Sequence, residues 1–259
     1  MIIDAHAHLS NTDYGNTLLY LKQIQEAGIE KGMAVPGGMV DVRRMTDYIT
    51  GKSAPDNPVP DNGYVAQACR DHEGVLYGFL CINPHDPDAL HAAEQGFQNG
   101  YRGLKLSPLT HQFSFAGKAV ADLAALCGNY GLPMYTHVVY SPGACTGKFI
   151  ALARQFPGTH FLLGHMGFGP ADSEGLEAAA ELDNFYMETS TGSFLHIKEA
   201  VKKAGSGKVV FGSEFPLSHP FVELVKILRL DLAEVDTEKI LGGNISALTG
   251  LPGTWRHEK

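Results

Sequence analysis

Eight short apolar runs, at 1–9, 29–36, 75–84, 101–108, 132–138, 160–167, 185–192 and 209–216, alternate with amphipathic stretches, and this alternation constrains the fold more than any other feature. Short runs bounded by turn residues read as buried strands, and the intervening stretches carry helical spacing. Examples are Leu18, Leu21 and Ile24, then Val120, Leu123, Leu126 and Cys127, then Phe149, Ile150, Ala153 and Phe156. Gly28, Gly100, Gly131, Gly158 and Gly205 stand before the next run, where helix C-caps belong. A doubly wound open sheet alternates in the same way, but eight units fit a closed (β/α)8 barrel better, and no GxGxxG follows the first run. The expectation is one α/β domain over 1–259 with no internal boundary.

The segment 37–61 is the exception, with Gly37-Gly38-Met39, then Arg43 and Arg44, then Pro55, Pro58 and Pro60. A long loop after the second strand falls on the face where such barrels build their sites, so it reads as a lid or, equally, as a solvated insertion.

His6-Ala7-His8 sits inside the first run. Side chains i and i+2 of a strand point the same way, so both imidazoles can converge on one cation. Lys105, His137, His165 and Glu214 interrupt the fourth, fifth, sixth and eighth runs at corresponding places. An ionisable group in such a run is costly unless compensated. One such histidine is by default a satisfied core residue; several agreeing with one register make a ring of chemistry at the C-terminal mouth, centred on a metal. Asn83, His85, His111, Tyr140, Thr189, Thr191 and His219 lie at strand ends or in following loops, and His219 has the best claim among them as an extra ligand or proton carrier. Arg43 and Arg44 offer a fork for an anionic substrate or are simply solvated. His160 reads as structural at the opposite end, and His72, His91, His196 and His257 carry no site role.

The net charge of −8, with no cluster of Lys or Arg, disfavours nucleic acid or an anionic membrane as partner and leaves a small molecule as the default. No apolar run approaches the roughly 20 residues of a membrane span. The four cysteines form no CxxC, and Met-Ile-Ile-Asp lacks the basic start of a signal peptide, so reduced thiols and a cytoplasmic location are expected. A homodimer is possible without a specific signature.

Asp4-Ala5-His6-Ala7-His8, Gly103-Leu104-Lys105-Leu106-Ser107-Pro108, the His137 strand, Gly164-His165-Met166-Gly167, Phe211-Gly212-Ser213-Glu214-Phe215-Pro216 and Lys239-Ile240-Leu241-Gly242-Gly243-Asn244 together resemble the amidohydrolase superfamily. Within it they resemble the amidohydrolase-related branch that includes aminocarboxymuconate-semialdehyde decarboxylase, whose members are metal-dependent TIM barrels. The resemblance implies that His6, His8, His137 and Glu214 hold a divalent metal, zinc first, with Mn, Fe or Co as substitutes. It implies that His165 transfers protons beside a metal-bound water. Glu214 departs from the usual Asp, so it ligates directly, ligates through water, or acts as a base. In binuclear members the lysine matching Lys105 is carboxylated and bridges two ions; one ion, with Lys105 a free amine, is the favoured count. The implied reaction is hydrolysis of an amide, lactone or related bond in a small anionic molecule. The alternative is decarboxylation of a small unsaturated or aromatic acid by the same residues, and a third reading is a catalytically silent ligand-binding barrel.

Overall fold

The computed structural model describes residues 1–55 and 58–251; positions 56 and 57 of the 37–61 loop and the tail carrying His257 lie outside the described residues. Among the described residues nine parallel strands are formed: β1 (Ile3–Leu9), β2 (Lys31–Pro36), β3 (Leu76–Gly78), β4 (Leu80–Cys81), β5 (Leu104–Leu106), β6 (Met134–Thr136), β7 (Phe161–Leu163), β8 (Phe185–Glu188) and β9 (Val209–Val210). They pair in the orders β1-β2-β3 and β4-β5-β6-β7-β8-β9. The third apolar run therefore appears as two strands. At its break, the Phe79 N–H bonds Ala34 O at 2.8 Å while the Leu80 N–H bonds Gly103 O at 3.0 Å, so one stave leaves its first neighbour and joins the next. The other gap is crossed by Ala5 N–H to Phe211 O at 3.0 Å and Glu214 N–H to His6 O at 2.8 Å. The eight staves thus form one (β/α)8 barrel, its circle completed by these bonds rather than by an unbroken ladder.

Two apolar layers hold it. Ile3, Ala5, Met33, Val35, Phe79, Tyr135, Leu162 and Val210 fill the interior, with Ile245, Leu248 and Leu251 beside the strand starts. Alternate strand residues such as Leu104, Leu106, Met134, Phe161, Phe185 and Met187 face outward against the helices. The helix Thr17–Glu26 buries Thr17, Tyr20 and Ile24, and Leu18 is exposed, because the helix is turned to bring the Tyr20 hydroxyl to Asp4. Gly131 takes the expected left-handed cap after Lys118–Tyr130, whereas the helix before Gly158 ends at Phe156 instead. The long loop forms a short helix, Met45–Ile49, and His111 Nε2 ties its far end by a 2.8 Å bond to Pro58 O. Among the described residues no helix is long and apolar enough to cross a membrane.

Candidate metal centre and active site

The β1 register shifts between Asp4 and Ala7. Below the shift Ile3 and Ala5 face the barrel interior; above it Ala7 and Leu9 face outward, so His6 and His8 turn inward together. A bulge re-aims side chains in this way without breaking the strand. The two Nε2 atoms lie 3.0 Å apart. From β5, Lys105 is buried with Nζ 3.2 Å from His6 Nε2 and 3.6 Å from the centre of the Tyr135 ring, a cation–π seat. Glu214 follows β9, with Oε2 2.7 Å from His6 Nδ1 and 3.8 Å from His165 Nε2, and Oε1 3.5 Å from His8 Nε2. His165 and Glu214 both occupy left-handed backbone, at φ 61° and φ 59°. Such conformations are unfavourable for residues with a Cβ and cluster where geometry is imposed by function.

Two groups gather potential ligand atoms within 4.8 Å: His6, His8 and Glu214, and His6, His165 and Glu188. His137 stands outside both groups, its ring centroid 6.1 Å from that of His165. Its Nε2 is buried without a hydrogen-bond partner, and Glu214 Oε2 lies off the line of every nearby N–H. Two orphaned acceptor positions beside His6 and His8 fit a cation. The protonation states fit as well. Burial lowers His8 to about 3, overriding Glu214, and burial together with Lys105 holds His137 well below the usual imidazole range. Burial also lowers His165 and brings Lys105 down to about 8. Burial opposes a charged Glu214, yet the surrounding His6, His8 and His165 keep its carboxyl well below the usual range. Neutral His8, His137 and His165 beside an ionised carboxylate are the forms that bind a divalent metal; at His6 burial is outweighed by Glu214 and Glu188, which raise it, so a cation there would take the place of a proton.

Three buried residues at the floor escaped the sequence reading. Glu188 ends β8, and its Oε2 accepts from the Tyr135 hydroxyl at 2.9 Å, from Ser190 Oγ at 2.8 Å and from the His165 N–H at 3.3 Å. Asp4 accepts from the Ser213 N–H at 2.8 Å, Ser213 Oγ at 2.6 Å, the His6 N–H at 3.0 Å and Tyr20 Oη at 2.8 Å, clasping the first stave to the last. Ser190 links Glu188 to His165. Conversely, His219 is the N-cap of the helix Pro220–Leu228, its Nδ1 accepting from the Phe221 N–H at 3.2 Å, so it is a structural cap and not an extra ligand. His85 is exposed, and His160 packs edge-on against Tyr186. Arg43 is engaged by Asp41 through two 2.9 Å bonds and Arg44 by Ser53 at 2.7 Å.

Above the floor lies a cavity of about 1160 Å³. Met39, Val42, Met45 and Tyr48 of the long loop wall one side, and Leu109, Phe113 and Phe168 the other, with His8, His137, His165 and Glu214 at the base.

A family model described as amidohydrolase matches residues 3–251. The chain belongs to that family. No curated protein matches it in sequence. Among solved structures, the amidohydrolase fold here is similar to 2,6-dihydroxybenzoate decarboxylase from Rhizobium, with 16% identity, a TM-score of 0.74 and coverage of 97% of this chain and 99% of the other. It is similar to 5-carboxyvanillate decarboxylase from Sphingomonas paucimobilis, at 15% identity and TM-score 0.73 over 97% and 99% of the two chains. A dihydroxybenzoic acid decarboxylase from Polaromonas, solved with manganese and 2-nitroresorcinol, shares 15% identity and a TM-score of 0.73 over 96% and 97%.

Proposed function

We propose that this amidohydrolase-family enzyme decarboxylates a small aromatic or unsaturated carboxylic acid with a divalent metal held by His6, His8 and Glu214, and by His137 closing on the same ion. The observation carrying this is where positive charge lies. Among the described residues lining the cavity, the one Lys or Arg is Lys52, whereas Arg43 and Arg44 are engaged elsewhere. Lys52 is exposed to solvent while Lys105 is buried, so an acid's carboxylate is drawn to the floor, onto the histidine ring above Lys105. There the charged group is the reacting group. Hydrolysis of an amide or lactone uses the same residues and is the first expectation from sequence; the buried Lys105 beneath the histidines and the similarity to aryl-acid decarboxylases favour decarboxylation.

The ion, when bound, supplies a Lewis acid for the substrate's oxygen atoms. Zinc suits the three imidazoles and one carboxylate, and the manganese in the Polaromonas structure makes that ion the rival. The Lys105 amine on the Tyr135 face supports a single ion. The apolar walls exclude water. His165 Nε2 takes a proton from a substrate hydroxyl and returns it to the ring carbon bearing the carboxylate. The carbon–carbon pair then flows back into the ring as carbon dioxide leaves, and a solvent proton restores the hydroxyl.

Metal-loaded protein incubated with a panel of hydroxylated benzoates, conjugated acids, amides and lactones tests this. Release of carbon dioxide from an acid, lost in His165→Gln, is expected; turnover confined to amides or lactones would overturn the reading.

A further inference from the structure

Glu188 and Ser190 lie behind His165, away from the substrate side, and hydrogen-bond accounting fixes their direction. Glu188 is fully buried and receives the Ser190 N–H at 2.5 Å besides the donors on its other oxygen. Its oxygens are surrounded by donors, the Ser190 N–H on Oε1 and the Tyr135 hydroxyl, the Ser190 hydroxyl and the His165 N–H on Oε2, so it stands as a carboxylate. A carboxylate only accepts, so the single hydroxyl proton of Ser190 is committed to Glu188 Oε2, 2.8 Å away. Ser190 Oγ can then only accept, from His165 Nδ1 at 3.0 Å or from His6 Nδ1 at 3.3 Å, and His165 Nδ1 also faces the Ser190 carbonyl oxygen at 3.2 Å, a second pure acceptor. The Thr191 hydroxyl, at 3.3 Å, is the remaining neighbour and the sole one able to donate to a bare Nδ1.

We propose that Glu188 acts through Ser190 to lock His165 as its Nδ1–H tautomer, leaving the Nε2 lone pair aimed at the cavity. Glu188 and Ser190 are positioning residues, and the proposal rests on His165 being the proton carrier of the decarboxylation reading. The same carboxylate holds the His165 N–H at 3.3 Å, bracing the left-handed backbone that presents the ring. One buried acid therefore fixes both the orientation and the tautomer of the histidine. Glu188→Leu is a specific perturbation: it removes the acceptor and keeps the bulk, where a Gln would keep a carbonyl oxygen for the same donors. Freed from Glu188, the Ser190 proton turns toward His165 Nδ1 and the proton on His165 moves to Nε2, leaving no base on the cavity side.

The test uses zinc-loaded, 15N-histidine-labelled protein and long-range proton–nitrogen correlation spectra, with His165 assigned by its loss in His165→Gln. Wild type and Thr191→Val should show the Nδ1–H pattern, as should Ser190→Ala, which keeps the backbone carbonyl facing Nδ1, whereas Glu188→Leu should show the Nε2–H or averaged pattern with zinc content and helical circular dichroism retained. In parallel, kcat for the acid turned over should fall by about 10² to 10⁴-fold with KM changed by less than about threefold. A wild-type pattern with the proton on Nε2 overturns the relay even if no variant folds, as does a Glu188→Leu spectrum identical to wild type. If the wild type keeps the Nδ1–H pattern but releases no carbon dioxide from any acid, the decarboxylation reading fails and the relay stands.

Discussion

Replacing Glu214 by Gln probes the metal centre most directly. Its carboxylate is 2.7 Å from His6 Nδ1 and 3.5 Å from His8 Nε2, the shortest link between a negative charge and the HxH pair. At an effective dielectric near 20, two unit charges 4 Å apart interact by about 4 kcal/mol, so a dication gains a gross ~8 kcal/mol from this group. Desolvation returns much of that, and the loss of a single oriented partner costs 10–100-fold in affinity even where the partner only supports a ligand. Glu188 cannot substitute, because the Tyr135, Ser190 and His165 donors already occupy its oxygens. We therefore expect Glu214→Gln to weaken zinc binding by at least about 100-fold, ~2.7 kcal/mol. Glu214→Asp keeps the charge but withdraws it by about one carbon–carbon bond, ~1.5 Å, and should fall between the two. Competition titration against a chromophoric chelator reads both, with thermal melting as the control for folding. Binding by the Gln variant within threefold of wild type would refute the assignment.

Further outcomes follow from the same geometry. His165 sits at φ 61°, so His165→Gly should melt higher than His165→Ala, by the equivalent of ~1 kcal/mol, in paired calorimetric scans. Gly212 packs where a Cβ would strike Glu188 Oε1 and come within 3.0 Å of His6 Cβ; Gly212→Ala should lose metal and turnover, while Gly207→Ala, whose Cβ meets open space, should not. Burial, reinforced by nearby His85, lowers the His111 pKa, so the folded state disfavours the protonated ring. His111's contribution to stability is then present above the ordinary imidazole pKa and lost as pH falls below it. The melting midpoint of wild type should drop further than that of His111→Gln between neutral pH and pH ~5. Removing the metal by chelation should lower the midpoint of wild type but leave that of His6→Ala unmoved.

The barrel was legible because each stave repeats one local pattern, an apolar run followed by a helical one, and pattern needs no knowledge of distant partners. The ring of His6, His8, Lys105, His165 and Glu214 was legible for a related reason, since an ionisable group in an apolar run announces itself. Glu188 carries the same signal at the end of Phe185-Tyr186-Met187 and meets that criterion as well as Lys105 does. Asp4 carries it too, within Ile2-Ile3-Asp4-Ala5, but its role and that of Ser190 were hidden: their partners Ser213 and His6 are 209 and 184 residues away, and only the closed circle brings them together. His219 misled because, five residues after Glu214, it caps the helix that starts at Pro220, and its Nδ1 is taken by the Phe221 N–H. The break at Phe79 was invisible too, because an apolar run does not record which neighbour each residue pairs with.

The shift within β1 gives the first strand two phases. Its lower half keeps step with the apolar filling of the barrel, and its upper half keeps step with the site, so either storey can change its residues without rotating the other. Straightening that shift at full length would merge the phases and swing both imidazoles out against the helices: a chain still able to close its barrel, carrying every ligand in its sequence, and unable to gather them.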